Sequence, residues 1–168
     1  MIKPREKAPN LEVELVNHTR WILDEQDPEN FTMIIFYRGK HCPVCKTYLN
    51  ELQTKISQFI ERGVNIIALS SDTEEVAKKT YEEWDIDDIP VGYGFPIETA
   101  RKWGLFISNG IKDEPKQFIE PGVFLIRPAR TIYAEYIQSI PFARPHFDDL
   151  LKGIDFILKK DYPARGEA

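Results

Sequence analysis

The chain has 168 residues, of which 42% are apolar and 29% charged, and carries a net charge of −5. That length suits one domain with apolar material for one core, so a single domain over residues 1–168 is expected. Basic residues are interspersed with acidic ones, leaving no footprint for a phosphate backbone, and no run approaches the roughly 18 apolar residues that cross a bilayer, so neither nucleic acid nor membrane is an expected partner.

The first ten residues are charged and proline-bearing where a signal peptide would be apolar. Leu11 to Val16 and Trp21 to Asp24 read as a short hairpin. Phe31 to Tyr37 is a continuous apolar run, the pattern of a buried strand, and Arg38-Gly39-Lys40-His41 a loop. A helix follows to about Arg62, with Tyr48, Leu49, Leu52, Ile56, Phe59 and Ile60 on its apolar face and Gly63 at its C-terminal stop. Val64 to Ser70 repeats the buried-strand pattern. Asp72 with Glu75 three residues on predicts a capping box for a helix burying Val76, Thr80 and Trp84. Gly92 to Phe95 reads as a short extended piece, and Pro96 opens a helix through Trp103 that Gly104 ends. Ser108 to Phe118 reads as a polar loop. Val123 to Ile126 and Thr131 to Gln138 are four residues apart, the spacing of an antiparallel hairpin. A last helix buries Phe147, Leu150, Leu151, Ile154, Ile157 and Leu158 and stops at the Tyr162 to Gly166 tail. Trp21, Trp84 and Trp103 fall on apolar faces and are expected in the core.

Cys42 and Cys45 are the only cysteines, in a Cys-Pro-Val-Cys at the first turn of the predicted helix. A cysteine there faces unpaired N–H groups and the positive end of the helix dipole, which stabilises its thiolate. Pro43 suits the first helical position, and Cys45 lies one turn on, where two sulfurs can bond. Thiolate attack on a disulfide and resolution by the second sulfur need only this pair. His41 and Lys46 flank it and, if cationic and close, would lower the thiolate pKa. A zinc site would need a second Cys-x-x-Cys or histidines with ligand spacing, and His18, His41 and His146 lack it; haem attachment would need histidine where Lys46 stands. No metal and no cofactor are expected. A cycling pair suits a reducing compartment, so the cytoplasm is the expected location.

The order of elements, parallel βαβ and then an antiparallel hairpin with a terminal helix, is that of an α/β thioredoxin-like fold: a central mixed β-sheet flanked by helices, with an extra N-terminal β-hairpin. Ala8-Pro9, Phe36-Tyr37-Arg38-Gly39 with Cys42-Pro43-Val44-Cys45, Trp103-Gly104, Pro121 to Ile126, Pro141 to Pro145 and the Tyr162 to Gly166 tail together resemble the peroxiredoxin-like branch of the alkyl hydroperoxide reductase/thiol-specific antioxidant (AhpC/TSA) family. The resemblance implies an antioxidant thiol oxidoreductase, monomeric or homodimeric, with a thioredoxin- or glutathione-type reductant and a disulfide or peroxide substrate.

Its motifs give two registers. The thioredoxin register makes Cys42 the nucleophile and Cys45 the resolving thiol. The peroxiredoxin register, counted from Tyr37, puts Cys45 on the peroxidatic cysteine, Cys42 on the threonine and Arg38 on the proline; Pro121 stands where many peroxiredoxins carry arginine. An arginine for peroxide cleavage would then be Arg38 or one brought from elsewhere. Pro121 resembles the cis-proline that faces the pair in thioredoxins; a plain Pro-Gly turn is the alternative. Tyr37, Arg38, His41, Pro43 and Pro121 are the candidate substrate-binding residues beside the catalytic Cys42 and Cys45. Arg144, between Ala143 and Pro145, can anchor the terminal helix or reach the site, and the anchor is the expectation. Disulfide exchange led by Cys42 ranks first, peroxide reduction led by Cys45 second, and a non-catalytic redox-sensing module third.

Overall fold

The computed structural model describes residues 2–168. Its centre is β3 (Phe31–Phe36), every residue of which is buried. Strand alternation sends Met33 and Ile35 to one face and Ile34 and Phe36 to the other, and each pair belongs to a different apolar cluster. A strand apolar on both faces is stable only with layers on both, and its neighbours supply them. β4 (Val64–Leu69) pairs with it in parallel, and β8 (Gly122–Ile126) antiparallel on the other side. β5 (Val91–Tyr93) extends the sheet beyond β4, then β1 (Glu12–Leu15) and β2 (Arg20–Ile22), while β9 (Ile132–Ile137) closes the far edge to give the order β2-β1-β5-β4-β3-β8-β9. This is the mixed sheet with an N-terminal hairpin that the sequence predicts.

On one face α1 (Pro43–Gln53), α2 (Ile56–Glu61) and α5 (Phe147–Lys160) bury Leu49, Leu52, Phe59, Phe147 and Ile154 against Met33, Ile35 and Leu125. On the other, α4 (Ile97–Lys102) and the residues after it set Ala100, Trp103 and Leu105 against Phe36, Leu69 and Phe124. α3 (Glu74–Glu83) joins β4 to β5. All three tryptophans are buried.

Six details differ from the sequence reading, the first being Ile60, which is 62% exposed and not on the buried face that holds Ile56 and Phe59. The helix after the cysteines is two: the Thr54 hydroxyl donates to the Glu51 carbonyl at 2.7 Å, a side-chain bond that competes with the helical ladder, and the chain restarts at Ile56. α3 is capped by Thr73, whose Oγ1 accepts from the Val76 N–H, because Asp72 is engaged elsewhere. Pro96 is the N-cap of α4, one residue outside it. The expected loop at 108–118 is bracketed by a two-stranded sheet, β6 (Ile107–Asn109) with β7 (Gln117–Ile119), tied by the Ser108 hydroxyl donating to Glu120 at 2.6 Å. Leu158 is 42% exposed: the buried stripe of α5 runs through Phe147, Leu150, Leu151 and Ile154, and Leu158 turns out of it.

Candidate active site

The loop after β3 is held by one buried carboxylate. Gly39 has φ +135°, and a Cβ there would lie 2.5 Å from Asp72 Oδ1. The Lys40 N–H donates to Asp72 Oδ2 at 2.8 Å, and burial pushes the Asp72 carboxyl above its usual range. The Gly39 carbonyl then accepts the Cys42 N–H at 3.1 Å, which delivers Cys42 to the N-cap of α1 in extended conformation, φ −106° and ψ 100°. Its sulfur takes the place of the usual capping oxygen and accepts the Cys45 N–H at 3.2 Å. Pro43 occupies the first helical position, where no amide hydrogen is needed.

Both sulfurs are free thiols and buried, Cys42 at 1% and Cys45 at 0% exposure. The cation beside them is Arg144, from the segment between β9 and α5. Its Nη2 lies 2.8 Å from Cys45 Sγ and 4.0 Å from Cys42 Sγ. Nε donates to the Pro141 carbonyl at 3.1 Å, and the guanidinium stacks 4.9 Å from the Tyr48 ring centre. The pair divides its protons unequally. Cys42 is lowered to about 6, chiefly by its hydrogen bond with the Cys45 side chain, aided by the Cys45 N–H, Arg144 and Arg38 against the cost of burial. Burial first, and that same hydrogen bond second, drive the Cys45 thiol well above its ordinary range. The hydrogen bond between the two sulfurs thus pushes them in opposite directions, Cys42 toward the thiolate and Cys45 toward the thiol.

The other predicted site residues are placed as follows. Tyr37 lies in the core, fully buried, 6.1 Å from the Trp84 ring and in the same apolar cluster as the two cysteines, and burial holds its hydroxyl protonated. Arg38 does not turn its guanidinium to the pair: it lies 4.5 Å over the Phe118 ring, with Nε 3.2 Å from Glu120 and Nη2 3.8 Å from Glu114. His41 packs 4.6 Å from the Phe118 ring, and burial together with Arg38 lowers its pKa, so at pH 7 it is neutral and adds no charge to the site. Lys46 is exposed. Pro121 has no cis bond, every peptide in the described residues being trans; its carbonyl accepts the Gln138 N–H at 3.0 Å, so it continues the β8–β9 ladder in the manner of the plain turn. Arg144, expected as an anchor for α5, is the residue that reaches the sulfurs. A depression of about 480 Å3 lined by Pro43, Val44, Thr47, Tyr48 and Arg144 opens beside the start of α1. No cluster of three potential metal ligands occurs among the described residues, and no described helix is long and apolar enough to cross a membrane.

The sequence model of the AhpC/TSA family matches residues 4–135. The chain is 23% identical over 155 residues to 1-Cys peroxiredoxin PER1 of Arabidopsis thaliana, covering 90% of this chain and 69% of that one. It is 26% identical over 120 residues to alkyl hydroperoxide reductase C of Staphylococcus epidermidis, covering 70% of this chain and 61% of the relative's length. Its fold matches a cysteine-to-serine mutant of peroxiredoxin 6 from Arenicola marina with a TM-score of 0.80 at 20% identity, over 94% of this chain and 74% of that one. Arg144 lies beyond the family-matched segment, and its approach to Cys45 spans 99 positions of sequence. On the match that spans the sheet and the cysteine pair, the chain belongs to the AhpC/TSA family, as a peroxiredoxin-like protein of thioredoxin fold.

Proposed function

We propose that the chain is a thiol-dependent peroxidase with an antioxidant role in a reducing compartment, the cytoplasm, in which Cys42 is the nucleophile and Cys45 resolves. The Cys42 thiolate attacks one oxygen of a peroxide ROOH; the O–O bond breaks, RO⁻ leaves and is protonated to ROH, and Cys42 becomes a sulfenic acid. The Cys45 thiol then displaces that hydroxyl as water, forming a Cys42–Cys45 disulfide. A thioredoxin- or glutathione-type thiol reductant supplies two electrons and two protons to restore the dithiol. Arg144 is the donor toward the oxygens that gain negative charge as O–O cleaves.

The observation that carries this reading is the single buried guanidinium spanning both sulfurs, 2.8 Å from one and 4.0 Å from the other, over a thiolate that caps a helix. Burial of both sulfurs favours a peroxide, a few atoms in size, over an extended protein disulfide as the oxidant, which keeps the first-ranked nucleophile of the sequence reading, Cys42, and takes the oxidant of the second. A second reading, with Cys45 attacking peroxide and Cys42 resolving, is favoured by the shorter Arg144 contact to Cys45.

Steady-state peroxide consumption with dithiothreitol tests the reading. The wild-type chain turns over and Cys42→Ser is inactive. Cys45→Ser stalls after one equivalent unless the reductant attacks the sulfenic acid directly. Activity retained by Cys42→Ser supports the second reading, and no reaction of wild type with either peroxides or disulfides would leave a redox-sensing module.

A further inference from the structure

We propose that a notch in the sheet beside the first half of β4 is a docking site for an extended, positively charged apolar peptide segment of a partner protein, which adds a short strand along Ile66. The notch lies toward the end of the sheet opposite the cysteines, since Ile66 pairs with Met33 while the cysteine loop leaves from Phe36, and the inference is independent of the peroxidase reading.

β4 pairs with β3 along all six of its residues, but β5 has three and reaches only Ala68 and Leu69. The Tyr37 N–H donates to the Leu69 carbonyl at 3.1 Å, and the Ala68 N–H to the Pro90 carbonyl at 3.0 Å. Alternation therefore turns the main chain of Asn65, Ile67 and Leu69 toward β3 and that of Ile66 and Ala68 toward β5. The ladder stops short of Ile66. In this register its carbonyl would take a hydrogen from residue 90, and Pro90 has none to give. Its N–H would need the carbonyl of residue 88, but the chain turns away there: the Ile89 N–H donates to the Ile86 carbonyl at 3.0 Å and the Asp88 N–H to Gln53 at 3.1 Å. Among the described residues no hydrogen bond from this side reaches the Ile66 amide or carbonyl.

A cavity of about 430 Å3 opens at this point. Ile56, Ile66 and Ile89 in its wall belong to the apolar cluster under α1 and α2, whereas Leu15 and Trp21 belong to the cluster on the other face. A cavity bounded by both faces occupies the plane of the sheet itself, so an extended chain fits it better than a compact ligand. A strand residue takes about 3.3 Å of length, 4.8 Å of width and 10 Å of sheet spacing, or about 160 Å3, so the cavity holds about three residues. The middle one exchanges both main-chain bonds with Ile66, and alternate side chains meet the isoleucines on one face and Trp21 on the other. Ile60, 62% exposed, forms an apolar lip. Charge selects the guest. Asp87 and Asp88 stand exposed at the rim, and no lysine, arginine or histidine lines the cavity, so a lysine, arginine or free amino end is favoured.

The test titrates the reduced, 15N-labelled protein with the tripeptide Lys-Val-Val amide and follows the Ile66 amide and the Trp21 indole N–H by NMR. Saturating shifts at both are expected, with a Kd below about 1 mM, and slower hydrogen exchange at the Ile66 amide. N-methylation of the middle valine, which removes its amide hydrogen, is expected to weaken binding about fivefold. Glutamate in place of the peptide's lysine is expected to weaken it about threefold or more. Ile60→Lys, at an exposed position, is expected to weaken it about tenfold while leaving the fold and the alkylation of Cys42 unchanged. No shift at Ile66 with about 1 mM peptide overturns the proposal. So does equal affinity of the N-methylated or the glutamate peptide, which would mean apolar contact without strand pairing or without charge selection. Ile66 shifts that follow protein concentration alone also overturn it, in favour of a second copy of this chain as the occupant.

Discussion

Replacing Cys45 by alanine removes the first-ranked cause of the low Cys42 pKa and leaves a single cysteine whose titration is unambiguous. In the intact site Cys42 is lowered to about 6 by the Cys45 side chain, the Cys45 N–H, Arg144 and Arg38, in that order of favourable effect. Alanine keeps the N–H at 3.2 Å, and the two arginines remain. The loss is one hydrogen bond to a charged group, about 1.5–3 kcal/mol. At 1.36 kcal/mol per unit that is a rise of about one to two units. The Cys42 midpoint is expected at about 7–8, still below an ordinary thiol, measured as thiolate absorbance at 240 nm against pH and checked by the pH dependence of iodoacetamide alkylation. The sign in the wild-type chain follows: the thiolate exists above its midpoint, so reactivity falls as pH drops through about 6 and is retained above it. The complementary Cys42→Ala variant leaves Cys45, whose pKa burial raises, and its alkylation is expected to be slow at neutral pH. A Cys45 thiol titrating near 6 in that variant would refute the assignment of the charge to Cys42.

Gly39→Ala forces a Cβ to within 2.5 Å of Asp72 Oδ1 at a φ that side chains rarely adopt, and should cost about 1–3 kcal/mol in a urea melt, with slower alkylation of Cys42 because its N–H bond to Gly39 shifts. His41→Gln removes a residue held neutral at pH 7 and is expected to leave the Cys42 midpoint in place; a rise toward an ordinary thiol value would mean that the imidazole is charged in the site. Thr73→Ala deletes the α3 cap and should lower stability by about 1 kcal/mol, whereas Asp72→Asn should disturb the loop at Lys40 and the thiolate with it, a difference that urea melts and the 240 nm titration separate.

Much of the fold could be read from local pattern. The apolar runs of β3, β4 and β8 are buried on both faces, so composition alone identified them, and the i, i+3, i+4 stripe through Phe147, Leu150, Leu151 and Ile154 located α5. β6 and β7 were missed because each is only three residues long and is specified by pairing with the other and by Ser108 with Glu120. Thr73 displaced Asp72 as the cap because the carboxylate was claimed by Lys40, 32 positions away. The same reason explains the site. Cys42, Pro43 and Cys45 are adjacent in sequence and their helix-end chemistry follows from spacing. The electrostatics do not, since His41 is neutral, Lys46 is exposed, Arg38 is engaged by Phe118 and Glu120 and acts on Cys42 less than Arg144 does, and Arg144 itself comes from an irregular proline-flanked segment.

The decisive measurement is to locate the sulfenic acid after one equivalent of peroxide, by dimedone trapping and mass spectrometry on the wild-type chain and on Cys42→Ser and Cys45→Ser. Wild type should lose two hydrogen masses with no adduct, Cys45→Ser should carry dimedone on Cys42, and Cys42→Ser should stay unmodified over the same time. Rapid dimedone labelling of Cys45 in Cys42→Ser would contradict the assignment and make Cys45 the peroxide-reacting sulfur.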